Sequence, residues 1–198
     1  MTAEDEPKAE PPPLDTLNDE AAKDKFEGEV LGVFIGPPEA QLPDNLVTYE
    51  EVCGSKPTEQ VDWDKAGDLD IAVSLPDPFK LNPDSLNTGV IACGDTVYSA
   101  RWEYSAPQLN GYPGSLIIAR SPFKYAEFNV STERVVTDDI GGLPAVYIKP
   151  LSENGIGSAA GVIFPGDSVT TVISSSGVPD ADLLKVAEIV AAKIKEGN

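Results

Sequence analysis

Apolar positions are sparse and without period over the first 29 residues, then fall into short runs broken by glycine and proline, and close on a helical spacing. Residues 29–35 form a compact run of β formers ended by Gly36-Pro37-Pro38. Leu69, Ile71, Val73 and Leu75 alternate with small or polar neighbours, which predicts a half-buried strand stopped by Pro76. Residues 88–93 and 97–104 read as two strands joined at Gly94-Asp95, a hairpin signal. Asn110-Gly111 and Pro113-Gly114 mark the next turn, and 116–119 continue the sheet. Strands at 133–137 and 145–148 flank a turn over Asp138-Asp139-Ile140-Gly141-Gly142, and Asn154-Gly155 opens a loop. A second hairpin spans 161–164 and 168–173 about Pro165-Gly166-Asp167. The closing segment, 180–195, places Leu183, Leu184, Val186, Ala187, Val190, Ala191 and Ile194 on one stripe. Asp180 and Asp182 suit the positive end of that helix, with Asp180 as its cap, and Lys193 and Lys195 suit the negative end. The expected class is α+β: an antiparallel sheet of several short strands with a C-terminal amphipathic helix packed on one face.

The first 29 residues divide from the rest by composition. They hold ten acidic and three basic residues and include Pro11-Pro12-Pro13. Such a segment buries too little apolar area to offset its ordering entropy, so 1–29 is expected to be a disordered acidic tether and 30–198 one globular domain. A short helix over 17–26 would have only a thin apolar face. Acidic, proline-rich runs of this kind link a membrane helix or lipid anchor to a folded domain. The expectation is therefore an extracytoplasmic domain whose anchor is missing from this sequence.

Charge narrows the partners. Of 198 residues, 33 are acidic and 14 basic, a formal net charge of −19. That field repels phosphates and anionic headgroups, so nucleic acid is excluded and a membrane is met only through the missing anchor. A protein partner or a small ligand of the cell envelope is expected instead. The absence of histidine removes histidine triads, general bases and metal ligands. Cys53 and Cys93, each followed by glycine, are too far apart for a redox CxxC pair and are expected to form one disulfide.

Asp62-Trp63-Asp64-Lys65-Ala66-Gly67-Asp68-Leu69-Asp70 is the most suggestive polar stretch. Asp62, Asp64, Gly67 and Asp70 match the first, third, sixth and ninth positions of an EF-hand loop, which makes Asp62, Asp64, Asp68 and Asp70 a calcium candidate. Ala66 and Val73 depart from the pattern, and a solvated turn is the plainer reading. The other glycine- and serine-rich stretches, 155–161 and 174–177, lack the strand and helix context of a phosphate loop or a nucleophile elbow. Trp63, Trp102, Tyr104 and Tyr112 are candidates for lining a ligand groove, with core packing as the default for the alternating pair Trp102 and Tyr104.

Ile140-Gly141-Gly142-Leu143-Pro144-Ala145-Val146-Tyr147, the later hairpin and Leu183-Leu184-Lys185-Val186-Ala187-Glu188 occur in that order. This arrangement resembles a domain at the extracytoplasmic ends of bacterial anti-sigma factors and lipoproteins, over less than a third of the chain. The resemblance implies a location rather than an activity. The function expected is a non-enzymatic extracytoplasmic binding or sensing domain without a cofactor. A calcium-binding surface module and a histidine-free carboxylate hydrolase are the alternatives.

Overall fold

The computed structural model describes residues 24–71, 73–109, 112–151 and 159–197. Its framework is an antiparallel sheet in the order β3-β5-β6-β7-β12-β11-β10-β9, with the two-residue β4 paired to β6 beyond the end of β5. The strands are β3 (Thr58–Val61), β4 (Lys80–Leu81), β5 (Gly89–Cys93), β6 (Thr96–Leu109), β7 (Tyr112–Ser121), β9 (Val135–Ile140), β10 (Leu143–Ile148), β11 (Ala159–Phe164) and β12 (Thr170–Ser176). A smaller sheet joins β1 (Gly28–Val30), β2 (Val33–Gly36) and β8 (Tyr125–Glu127). The helices are α1 (Tyr49–Cys53) and α2 (Asp180–Gly197). The expected α+β class and the packing of α2 on the sheet are both present.

Register explains how one sheet serves two layers. Trp102, Ile118, Ile173, Val162 and Tyr147 are successive cross-strand partners, and all face the core under α2. There they meet Leu183, Val186, Ala187, Val190 and Ala191, the stripe that periodicity assigns to the helix. The intervening Val146, Ile148 and Ile163 face the other way and pack on Val33, Ile35, Ala126, Phe128 and Val130. Apolar residues on both faces make β10 and β11 read as unbroken hydrophobic runs.

Several expectations need correction. Residues 29–35 are two strands. Leu31 and Gly32 take positive φ, 51° and 77°, and turn β1 back on β2 with Val30 opposite Val33. The folded body begins before residue 30: Lys25 bridges Ser131, and the Phe26 N–H donates to the Val130 carbonyl. The helix expected over 17–26 is absent at 24–26, and 17–23 lie outside the described residues. The strand expected at 69–75 is not one: Gly67–Leu69 is a 3-10 turn and Val73 has no ladder partner. Leu69 and Val73 are nonetheless buried, so the alternation records which side chains face the core and not a strand. Asp138, Asp139 and Ile140 belong to β9, and only Gly141-Gly142 make the turn. Pro113 and Gly114 lie inside β7, and Ser174 to Ser176 inside β12. The turn at Asn110-Gly111 and the loop at Asn154-Gly155 lie outside the described residues.

Candidate functional site

The site is built on one cross-strand row of the main sheet. Arg120 of β7 pairs with Ala100 of β6 and with Thr171 of β12, and Thr171 pairs with Phe164 of β11. Period two puts Arg120 on the same face as Leu116 and Ile118, which lie in the core under α2. A charged residue thus occupies a row whose outer members, Ala100 and Phe164, are apolar and buried.

Around this row the chain leaves a cleft of about 800 Å³. Its walls are the 67–71 segment, Leu143 and Pro144 at the start of β10, the turn from Pro165 to Val169, and the last turn of α2 at Ile194 and Gly197. Ile71, Leu143, Phe164, Val169 and Ile194 give it apolar surface; Asp68, Asp70 and Asp167 give it carboxylates. Its size falls within the range of small-molecule sites, which combine apolar walls with a few placed polar groups.

Arg120 is 7% exposed and held from two sides. Nε donates to the Thr171 hydroxyl at 3.2 Å, and Nη1 donates to the Asp68 main-chain carbonyl at 2.7 Å. Burial pulls the guanidinium below its usual range, and the charges of Asp68 and Asp70 pull it back up. The group stays cationic at neutral pH. Nη2 has no hydrogen-bond partner among the described residues. Nor is it sealed away, since the single buried side-chain polar atom lacking a partner among those residues is the Thr170 hydroxyl. Its open side meets the cleft.

The aromatic candidates fall elsewhere. Trp102 (5% exposed) and Tyr104 (2%) are core residues, so they line no groove. Tyr104 donates its hydroxyl to the Val73 carbonyl at 2.7 Å, and burial pushes its pKa up to about 12. Trp63 stacks on Trp102 with ring centroids 5.1 Å apart and is the exposed member of that pair. The side chain of Tyr112 lies outside the described residues.

The calcium candidate is divided. Asp68 and Asp70 line the cleft, whereas Asp62 and Asp64 belong to the preceding 3-10 turn and do not. Among the described residues no three or more carboxylates and thiols stand close enough to share an ion. Strand β3 precedes this stretch where an EF-hand has a helix, and two 3-10 turns lie within it.

Cys53 and Cys93 are joined as a disulfide with Cα atoms 5.5 Å apart. The bond ties the end of α1 to the end of β5 and is packed with Tyr98 and Phe123. Asp180 does not act as the expected cap: its carboxylate accepts the Tyr147 hydroxyl across the helix–sheet interface. No helix among the described residues is long and apolar enough to cross a membrane.

Arg120 is the site residue that sequence reasoning misses. Its signal is a cation in Leu116-Ile117-Ile118-Ala119-Arg120, on the same alternate face as Leu116 and Ile118. Comparison with family models, with curated proteins and with solved structures returned no match to this chain.

Proposed function

We propose that this chain is a non-enzymatic binding or sensing domain displayed outside the cytoplasm, and that the cleft over Arg120 is where it binds. The observation that carries this reading is the buried guanidinium at the floor of an open, partly apolar cleft, fixed by Thr171 and the Asp68 carbonyl with donors left over. A buried cation is costly to desolvate and suits a site that supplies the missing contacts on binding. The Cys53–Cys93 disulfide supports the placement, because such bonds persist in oxidising compartments and are rare in the cytosol. The acidic leader and the resemblance of the closing strands and helix to extracytoplasmic domains agree with it. The ligand is a protein segment or a small molecule of the envelope.

The placement is tested by counting thiols in the protein as its native cells make it. Cells are lysed directly into denaturant with a maleimide label and no reductant. Labelling at neither cysteine is expected, and quantitative labelling of Cys53 and Cys93 would show a reducing compartment and overturn the reading. The binding role is tested by a fragment screen followed by protein-observed NMR. Hits are expected to perturb the amides of Asp68, Leu143 and Thr171, and a screen whose hits all map elsewhere would remove the cleft from the account.

A further inference from the structure

We infer that the cleft takes an uncharged ligand: an apolar body carrying a carbonyl oxygen, of the amide or ester type, that accepts from Arg120 and Thr171 together. The inference rests on the cleft being the binding site.

The polar floor of the cleft offers donors. Arg120 of β7 and Thr171 of β12 stand opposite one another in the sheet, line the cleft and are both more than nine-tenths buried. Arg120 spends Nε on the Thr171 hydroxyl oxygen at 3.2 Å and Nη1 on the Asp68 carbonyl at 2.7 Å, which leaves Nη2. The Thr171 hydroxyl accepts the first of these bonds, and among the described residues nothing accepts its own proton. Two unmet donors therefore stand side by side beneath an apolar space. Leaving them unmet when a ligand shuts out water would cost affinity. A carbonyl oxygen has two lone pairs and can meet both.

Charge narrows the class further. A ligand carboxylate would sit among Asp68, Asp70 and Asp167, on a protein of formal net charge −19. An ammonium would sit beside the Arg120 guanidinium and leave both floor donors unmet. The charges of Lys124 and Lys195 also stand near the rim, where these side chains donate to the Gly166 and Gly141 carbonyls. Asp70 has a partner of its own and calls for no cation. A neutral carbonyl meets the donors and loses the least hydration on leaving water. Ile71, Leu143, Phe164, Val169 and Ile194 cover the apolar body that carries it. An amide or ester of an apolar acid has this chemistry, and so does the main chain of an apolar peptide.

The test is a titration at neutral pH, followed by protein-observed NMR, with matched probes. Phenylpropanamide is neutral and carries the carbonyl. Phenylpropanoate is its anionic counterpart, phenylpropylamine its cationic one, and propylbenzene lacks the acceptor. A blocked tripeptide of apolar residues separates a peptide source from a small-amide source. Phenylpropanamide or the tripeptide is expected to bind in the cleft at least about tenfold more tightly than the charged probes and propylbenzene. The Arg120 Nη resonances are expected to shift with the carbonyl probe and not with propylbenzene. Thr171→Val, which keeps a β-branched side chain and removes the hydroxyl, is expected to cut the preference severalfold, and Thr171→Ser to keep it, with the amide spectrum of each variant checking its fold. Equal or tighter binding of a charged probe or of propylbenzene in the cleft, or Arg120 resonances that stay still, would overturn the inference and leave the cleft as a binding site. Failure of every probe to perturb the cleft amides would overturn the inference and count against the cleft itself.

Discussion

Four tyrosines are built into this fold as neutral phenols. Burial raises the pKa of Tyr98, Tyr104, Tyr125 and Tyr147, and for Tyr147 the carboxylate of Asp180 adds to the effect. The folded state therefore holds these protons more tightly than the unfolded chain, whose tyrosines titrate near about pH 10. Stability from this source is complete below about pH 10 and falls as pH rises through about 12, the value for Tyr104. Urea midpoints measured across that range are expected to drop, with each extra retained proton worth about 1.4 kcal/mol per pH unit. Tyr104→Phe removes one titrating group together with the bond to the Val73 carbonyl, and is expected to flatten the drop. An unchanged slope in that variant would show that Tyr104 ionises as freely in the folded state as in the unfolded one. The tyrosines also show what single residues in a sequence disclose. Tyr104 shares a strand face with Trp102, and core packing can be read from that spacing. The hydroxyl's partner, 31 residues away, cannot.

The β9–β10 turn and α2 meet closely. Gly141 has φ +60°, and a Cβ there would stand 2.8 Å from the Ala191 Cβ. Lys195 fastens the helix end to the same turn by donating to the Gly141 carbonyl at 2.7 Å. Gly141→Ala is expected to cost about 2 kcal/mol in chemical denaturation, from the left-handed backbone and the displaced helix; a loss below a few tenths would mean that the turn and helix are not held together. Leu183, fully buried on the helix stripe, is expected to cost about 2–5 kcal/mol as Leu183→Ala by the same measurement. Elements of this kind are legible in the sequence. The helix announces itself by period, and the two hairpins by Gly94-Asp95 and Pro165-Gly166-Asp167. Where the pattern misleads, it reports burial without a partner. Residues 69–75 alternate because Leu69 and Val73 face the core, yet among the described residues of that stretch none pairs with a strand. Leu31 adopts a conformation that leucine seldom takes, so Gly32 alone marks the reversal between β1 and β2. Helix α1 is too short for periodicity; its trace is Thr48 and Glu51, which form a capping box.

At the scale of the molecule, the sheet's two covered faces divide the work. One face is covered by the small β1-β2-β8 sheet. The other carries α2, and where the helix ends the row of Arg120, Thr171 and Phe164 continues into the cleft. The disulfide closes a separation of 40 residues away from that row and is worth about 4 kcal/mol by chain entropy. The candidate site is half visible in the sequence. Asp68 and Asp70 stand out in the right stretch of chain but suggest a metal, because spacing alone cannot reveal that Arg120, Asp167 and the end of α2 converge on them. The most direct test of the account is a solution structure of the protein saturated with the tightest-binding fragment of the screen, using intermolecular NOEs to place the probe. The account predicts contacts from the fragment to Leu143, Phe164 and Ile194, with a hydrogen-bond acceptor toward Arg120. A probe seated against any other face of the domain, leaving the Arg120 row untouched, would contradict it.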